Sequence, residues 1–82
     1  MYNKKKNNVR RLEESIGEMN LGDIIYINSI NLTKKGIDVL RGYIKSGVLV
    51  PEREEVEELY KNVEAVMSGD VILPQMTYIK EA

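Results

Sequence analysis

Residues 33–69, TKKGIDVLRGYIKSGVLVPEREEVEELYKNVEAVMSG, hold the clearest periodicity in the chain. Thr33 is suited to N-cap a helix, because its hydroxyl can accept a bond from a backbone N–H of the first turn. Ile37, Leu40 and Ile44 then fall at i, i+3 and i+7 with Tyr43 beside them, which predicts a helix over about 33–46 that stops at Ser46-Gly47. Val48-Leu49-Val50 forms a short extended link. Pro51 follows, fixed at the φ that a first helical turn prefers. Val56, Leu59, Tyr60, Val63, Val66 and Met67 make an apolar stripe at helical spacing, so a further helix is predicted over about 52–68. Glu52, Glu54 and Glu55 lie in its first turn, where the helix dipole favours anions.

Outward from this core the signals weaken. Val9, Leu12, Ile16 and Met19 share one helical face, which predicts a first helix over about 8–20, interrupted by Gly17 and ended at Leu21-Gly22. From Asp23 to Ile30 the run is β-branched and aromatic, which favours an extended segment. Residues 70–79 also read as extended, with Pro74 confining any strand role to an edge. Ser46-Gly47 and Ser68-Gly69 are each followed by apolar residues and Pro, which reads as one helix-exit device used twice.

The fold expected from these signals is mainly α: three short amphipathic helices joined by extended pieces. The alternative is a small α+β domain with 23–30 and 71–79 as strands. The organisation expected is a flexible basic leader over 1–7 and a single small domain over 8–82. Within that domain, 33–69 is a helix-SerGly-helix partner-binding unit and 70–82 an extended tail.

Composition narrows the function. The 82 residues include no His, Cys, Trp or Phe. No side chain therefore has an unperturbed pKa near neutrality, and there is no thiolate nucleophile, thiolate metal ligand or disulfide. Ser15, Ser29, Ser46 and Ser68 have only carboxylates and Lys as candidate activating partners. Glu52, Glu54, Glu55, Glu57 and Glu58 read as the solvated face of a helix, and no phosphate-cradling or calcium-loop pattern occurs. The chain is accordingly expected not to be an enzyme and to need no cofactor or metal. No stretch approaches the roughly 18–20 consecutive apolar residues of a membrane span. The N-terminal Met-Tyr-Asn-Lys-Lys-Lys lacks an apolar stretch after its charges. A soluble cytoplasmic protein without a membrane partner is the expectation.

Net charge is −1, unevenly spread. Residues 1–11 hold Lys4, Lys5, Lys6, Arg10 and Arg11 and no acid, a sum of +5, so the remaining residues sum to −6. The five basic residues are the candidate nucleic-acid contacts, since cations gain affinity by releasing phosphate counterions. A solvated leader is the simpler reading. A helix-turn-helix reader is disfavoured by charge. Its recognition helix would begin near residue 52, and residues 52–64 carry six acids and two bases, a net of −4 that a duplex repels.

The helical seams can be satisfied against each other or against a partner on which they fold. Gly36 to Val63, GIDVLRGYIKSGVLVPEREEVEELYKNV, resembles the C-terminal half of the flagellar anti-sigma factor family (FlgM). Ile37, Leu40-Arg41, Ile44, Ser46-Gly47 and Val56 fall on that family's helix, Gly, link and helix pattern, and Asp23 to Ser29 is similar to its short opening segment. Leu49, Pro51 and Glu57 depart from it, where the family has Tyr, Val and a small Ala, and the chain continues past Gly69 where members commonly stop. The resemblance implies a negative regulator of transcription that binds and sequesters the flagellar sigma factor and is partly disordered when free. The partner-binding anchors would be Ile37, Leu40, Ile44, Val56, Leu59, Val63 and Met67. Two other readings stand beside it. One is a small self-folded interaction or adaptor domain, dimeric in one version. The other is a nucleic-acid accessory protein using the basic N-terminus.

Overall fold

The computed structural model describes residues 4–82, with side chains from Val9 onward. Among them are four α-helices, a 3₁₀ turn and a three-stranded sheet: α1 (Lys4–Glu18), β1 (Ile24–Asn28), the 3₁₀ turn (Ser29–Asn31), α2 (Lys34–Lys45), β2 (Leu49–Pro51), α3 (Arg53–Leu59), α4 (Val63–Met67) and β3 (Gln75–Lys80). The fold is therefore α+β, and the mainly α expectation is corrected. The alternative with strands near 23–30 and 71–79 describes it, because β1 and β3 pair antiparallel from Ile24↔Ile79 to Asn28↔Gln75.

The C-terminal strand lies between the other two, in the order β1-β3-β2, with β2 also antiparallel to β3. The segment after Gly69, expected as a tail, thus supplies the centre of the sheet. Pro74 does not confine it to an edge, because the strand begins one residue later at Gln75. Pro74 lacks an N–H, but its carbonyl accepts the Ser29 N–H at 2.8 Å. The Ser29 hydroxyl, buried, donates to Leu73 O at 2.9 Å. These bonds fix the turn into β3 against the end of β1.

α2 forms as its sequence predicts. The Thr33 hydroxyl accepts from Gly36 N–H at 3.1 Å. At the other end Gly47 takes φ +83°, its N–H bonds Ile44 O, and Val48 N–H bonds Tyr43 O, the paired bonds of a Schellman motif. Gly69 repeats the positive φ after α4, with its N–H on Val66 O. The Arg41 guanidinium reaches Gly69 O at 3.0 Å and Lys45 pairs with Asp70 at 2.8 Å, tying the exit of α4 to α2. Hydrogen bonding and charge from Lys45, with help from Ser68, hold the Asp70 carboxyl below the usual carboxylate range.

The helix expected over 52–68 is two helices. Tyr60 is extended at φ −150° and ψ 140°, and the Asn62 side chain caps α4 by accepting from Ala65 N–H at 3.2 Å. A continuous 17-residue helix would span about 26 Å, whereas β3 has six residues and covers about 20 Å. The break turns the second half back, so that Val56 and Val66 both reach one core. Pro51 is likewise not in the helix. It ends the edge strand β2, where a missing N–H is tolerated, and Glu52 caps α3 by accepting from Glu55 N–H at 3.1 Å.

The core combines Leu12 and Ile16 of α1, Ile27 of β1, Leu40 and Ile44 of α2, Leu49 of β2, Val56, Val66, Leu73, and Met76 and Tyr78 of β3. α1 covers Lys4–Glu18 where about 8–20 was expected. Of the expected leader, residues 1–3 lie outside the described residues, and the backbone from Lys4 is helical. The α1 C-terminus is capped across the fold by Lys80, whose ammonium donates to Ile16 O at 2.7 Å and Met19 O at 3.1 Å.

Candidate docking surface

Side chains of adjacent strand residues point to opposite faces. The face with Ile27, Met76, Tyr78, Leu49 and Pro51 is buried. The face with Ile24 and Tyr26 is exposed, Ile24 by 68% and Tyr26 by 60%. The register places Ile24, Ile79 and Val50 in one row across all three strands on that face. Large apolar side chains gathered on the surface of a small domain mark sites of association.

Next to this face a groove of about 340 Å³ opens between Tyr26, the turn Leu73-Pro74-Gln75, and Glu55 and Leu59 of α3. The Tyr26 hydroxyl donates to Gln75 Oε1 at 2.7 Å, which holds the ring along one wall. Leu59 forms the opposite wall at 58% exposure. It stands out because α3 ends there and the chain turns extended at Tyr60, so the stripe cannot continue into the core. Glu54, Glu57 and Glu58 are exposed on the same helix, and Glu55 is half-buried. The groove thus joins an apolar floor to the Glu55 carboxylate. Burial, with the Glu55 carboxylate adding to it, pushes the neighbouring Tyr78 hydroxyl up to about 12.

The predicted anchors do not form one surface. Leu40, Ile44 and Val56 are buried in the chain's own core, and Ile37, Val63 and Met67 are half-buried. Leu59 alone of the seven is exposed, and it lies in the groove. Helical spacing reports that a residue sits on an apolar face, not what covers the face. Tyr26, Leu73, Pro74 and Gln75 were not identified from sequence. The run Ile24-Ile25-Tyr26-Ile27 is apolar at every position, so it lacks the alternation that separates an open face from a buried one.

Of the candidate nucleic-acid contacts, the side chains of Lys4, Lys5 and Lys6 lie outside the described residues. Arg10 and Arg11 are exposed on α1, and Arg10 faces Glu14 one turn on at 4.0 Å. Among the described residues no three acidic side chains gather to hold a metal ion, and no helix is long and apolar enough to cross a membrane.

No protein-family model matches the chain, and no curated protein or solved structure matches it.

Proposed function

We propose that this chain is a small self-folded protein–protein interaction domain, which docks a partner segment in the Leu59 groove. The observation that supports it is Leu59 itself, a large apolar side chain held 58% exposed in one groove with Tyr26, whereas Leu40, Ile44, Val56 and Val66 of the same helical stripes close on the core. The partner chemistry follows from the walls. An apolar side chain seated between Tyr26 and Leu59 and flanked by Lys or Arg would meet Glu55 in the groove, with the further exposed acids of α3 nearby on the same helix, a complementarity that favours orientation and on-rate.

A displayed random-peptide library panned on the immobilised chain tests this. Enriched sequences should carry an aliphatic or aromatic residue with basic neighbours, and Leu59→Asp should abolish their binding while circular dichroism stays unchanged. Peptides that bind Leu59→Asp as well as the parent chain would sink the proposal. The sequence resemblance makes a flagellar sigma factor the first protein to titrate. Calorimetric binding to it without gain of helix, lost in Leu59→Asp, fits a folded inhibitor using this groove. Binding that survives Leu59→Asp but requires Leu40 would mean the fold opens on its partner.

A further inference from the structure

β1 and β2 are the two edges of the sheet, and the chain treats them differently. β2 has only three residues and ends at Pro51, with Glu52 next, the features that blunt an edge against pairing. β1 has five residues, Ile24-Ile25-Tyr26-Ile27-Asn28, with no Pro, no Gly and no charge. Its pairing with β3 fixes which groups are left over. The Asp23 carbonyl accepts from Lys80 and the Ser29 N–H donates to Pro74, so odd-numbered residues turn their polar groups to β3. In an antiparallel ladder the orientation alternates. The N–H and C=O of Ile24 and Tyr26 and the N–H of Asn28 therefore face outward. A groove of about 250 Å³ opens between Arg11, Leu12 and Ser15 of α1 and the strand.

We infer that a second copy of this chain pairs antiparallel with β1, with a two-fold axis at Tyr26 that joins two three-stranded sheets into one of six. The Tyr26 groups and the Ile24 carbonyl with the Asn28 N–H match each other about that residue. Tyr26 exchanges N–H and C=O bonds with Tyr26 of the other copy, and each Asn28 N–H meets an Ile24 carbonyl. Charge is compatible with self-association. The exposed strand residues are neutral, and each copy carries a net charge of only −1. The flanking helix adds complementarity. α1 runs opposite to β1, since its end contacts Lys80 beside Asp23 while Arg11 and Leu12 lie near Asn28 and Leu32. The axis sets the two α1 helices antiparallel, so the Arg10-Arg11 end of one lies beside the Glu14 to Glu18 end of the other. This pairing needs no partner protein; it shares Tyr26 with the Leu59 groove, whereas Leu59 itself lies on α3 and not on the β1 edge.

Analytical ultracentrifugation of the isolated chain from micromolar to millimolar concentration is the test. The mass should rise from the 9.4 kDa of one chain towards twice that value. On the axis, residue 26 faces itself as a directly opposed cross-strand pair. Tyr26→Lys and Tyr26→Glu should each stay monomeric, because like charges meet, and an equimolar mixture of the two should recover the dimer. Tyr26 is 60% exposed, so both variants should keep the parent's circular dichroism. Leu59→Asp should dimerise as the parent does. A parent chain that stays monomeric throughout, a Tyr26→Lys variant that dimerises normally, or a mixture that stays monomeric would overturn the inference.

Discussion

Leu40 and Leu59 carry the same side chain at positions the sequence reads alike, and the structure predicts opposite consequences for them. Leu40 is fully buried between α2 and the sheet, and Leu59 is 58% exposed. Truncating a buried Leu to Ala costs about 2–5 kcal/mol, from lost transfer energy and the cavity left behind. A domain of this size has a total stability of about 4–12 kcal/mol, taking roughly 0.05–0.15 kcal/mol per residue. Leu40→Ala therefore removes a large share of it. At about 4–8 °C per kcal/mol for a domain of this length, the melting temperature should fall by roughly 8–40 °C. Leu59→Ala loses little burial and should stay within about 0.5 kcal/mol of the parent, a shift of roughly 4 °C at most. Thermal unfolding followed by circular dichroism, with urea titration as a second measure, reads both. Equal shifts for the two variants, or a parent chain with no cooperative transition, would refute the placement of Leu40 in a self-contained core.

Two glycines give a second contrast. Gly69 holds φ +87° and an added Cβ would lie 3.1 Å from Ile44 Cγ2, whereas nothing lies within 4 Å of a Cβ built on Gly17 inside α1. Gly69→Ala should cost about 1–3 kcal/mol and Gly17→Ala should gain about 0.5–1 kcal/mol, compared by urea midpoints at constant slope. Tyr78 sets the alkaline limit. Its hydroxyl is raised from 10.0 to about 12 in the folded chain. Below about pH 10 its contribution is fully present. Between 10 and 12 only the unfolded chain releases the proton, so stability should fall by about 1.4 kcal/mol per pH unit. Urea titrations at pH 9, 10 and 11 check the slope, and Tyr78→Phe should remove this part of it.

Local signals in the chain were sufficient for local structure. Thr33, the Ile37, Leu40, Ile44 spacing and Gly47 specify α2 and its caps, because a cap and a 3.6-residue stripe involve only neighbours along the chain. The helical periodicity of 56–67 was equally legible, yet it predicted one helix where there are two. A capping side chain at Asn62 competes with helix continuation, and the break lets Val56 and Val66 both reach the core, a tertiary demand that local spacing does not report. The candidate site was less legible still. Leu59 was identified by its spacing, but its position in a groove depends on the helix ending there and on Tyr26 and Pro74, which are distant in sequence.

By itself the amino-acid sequence determined the caps of α2, the apolar faces, the absence of neutral-range titrating and thiol chemistry, and the division of charge between a basic start and an acidic remainder. Tertiary structure alone decided that residues 75–80 form the central strand, that β1 keeps an open edge, and which apolar faces are covered. Those outcomes depend on pairings across some 50 residues, as in Ile24↔Ile79. Such pairings are selected by the summed burial of the whole core, and no local run of residues encodes that sum.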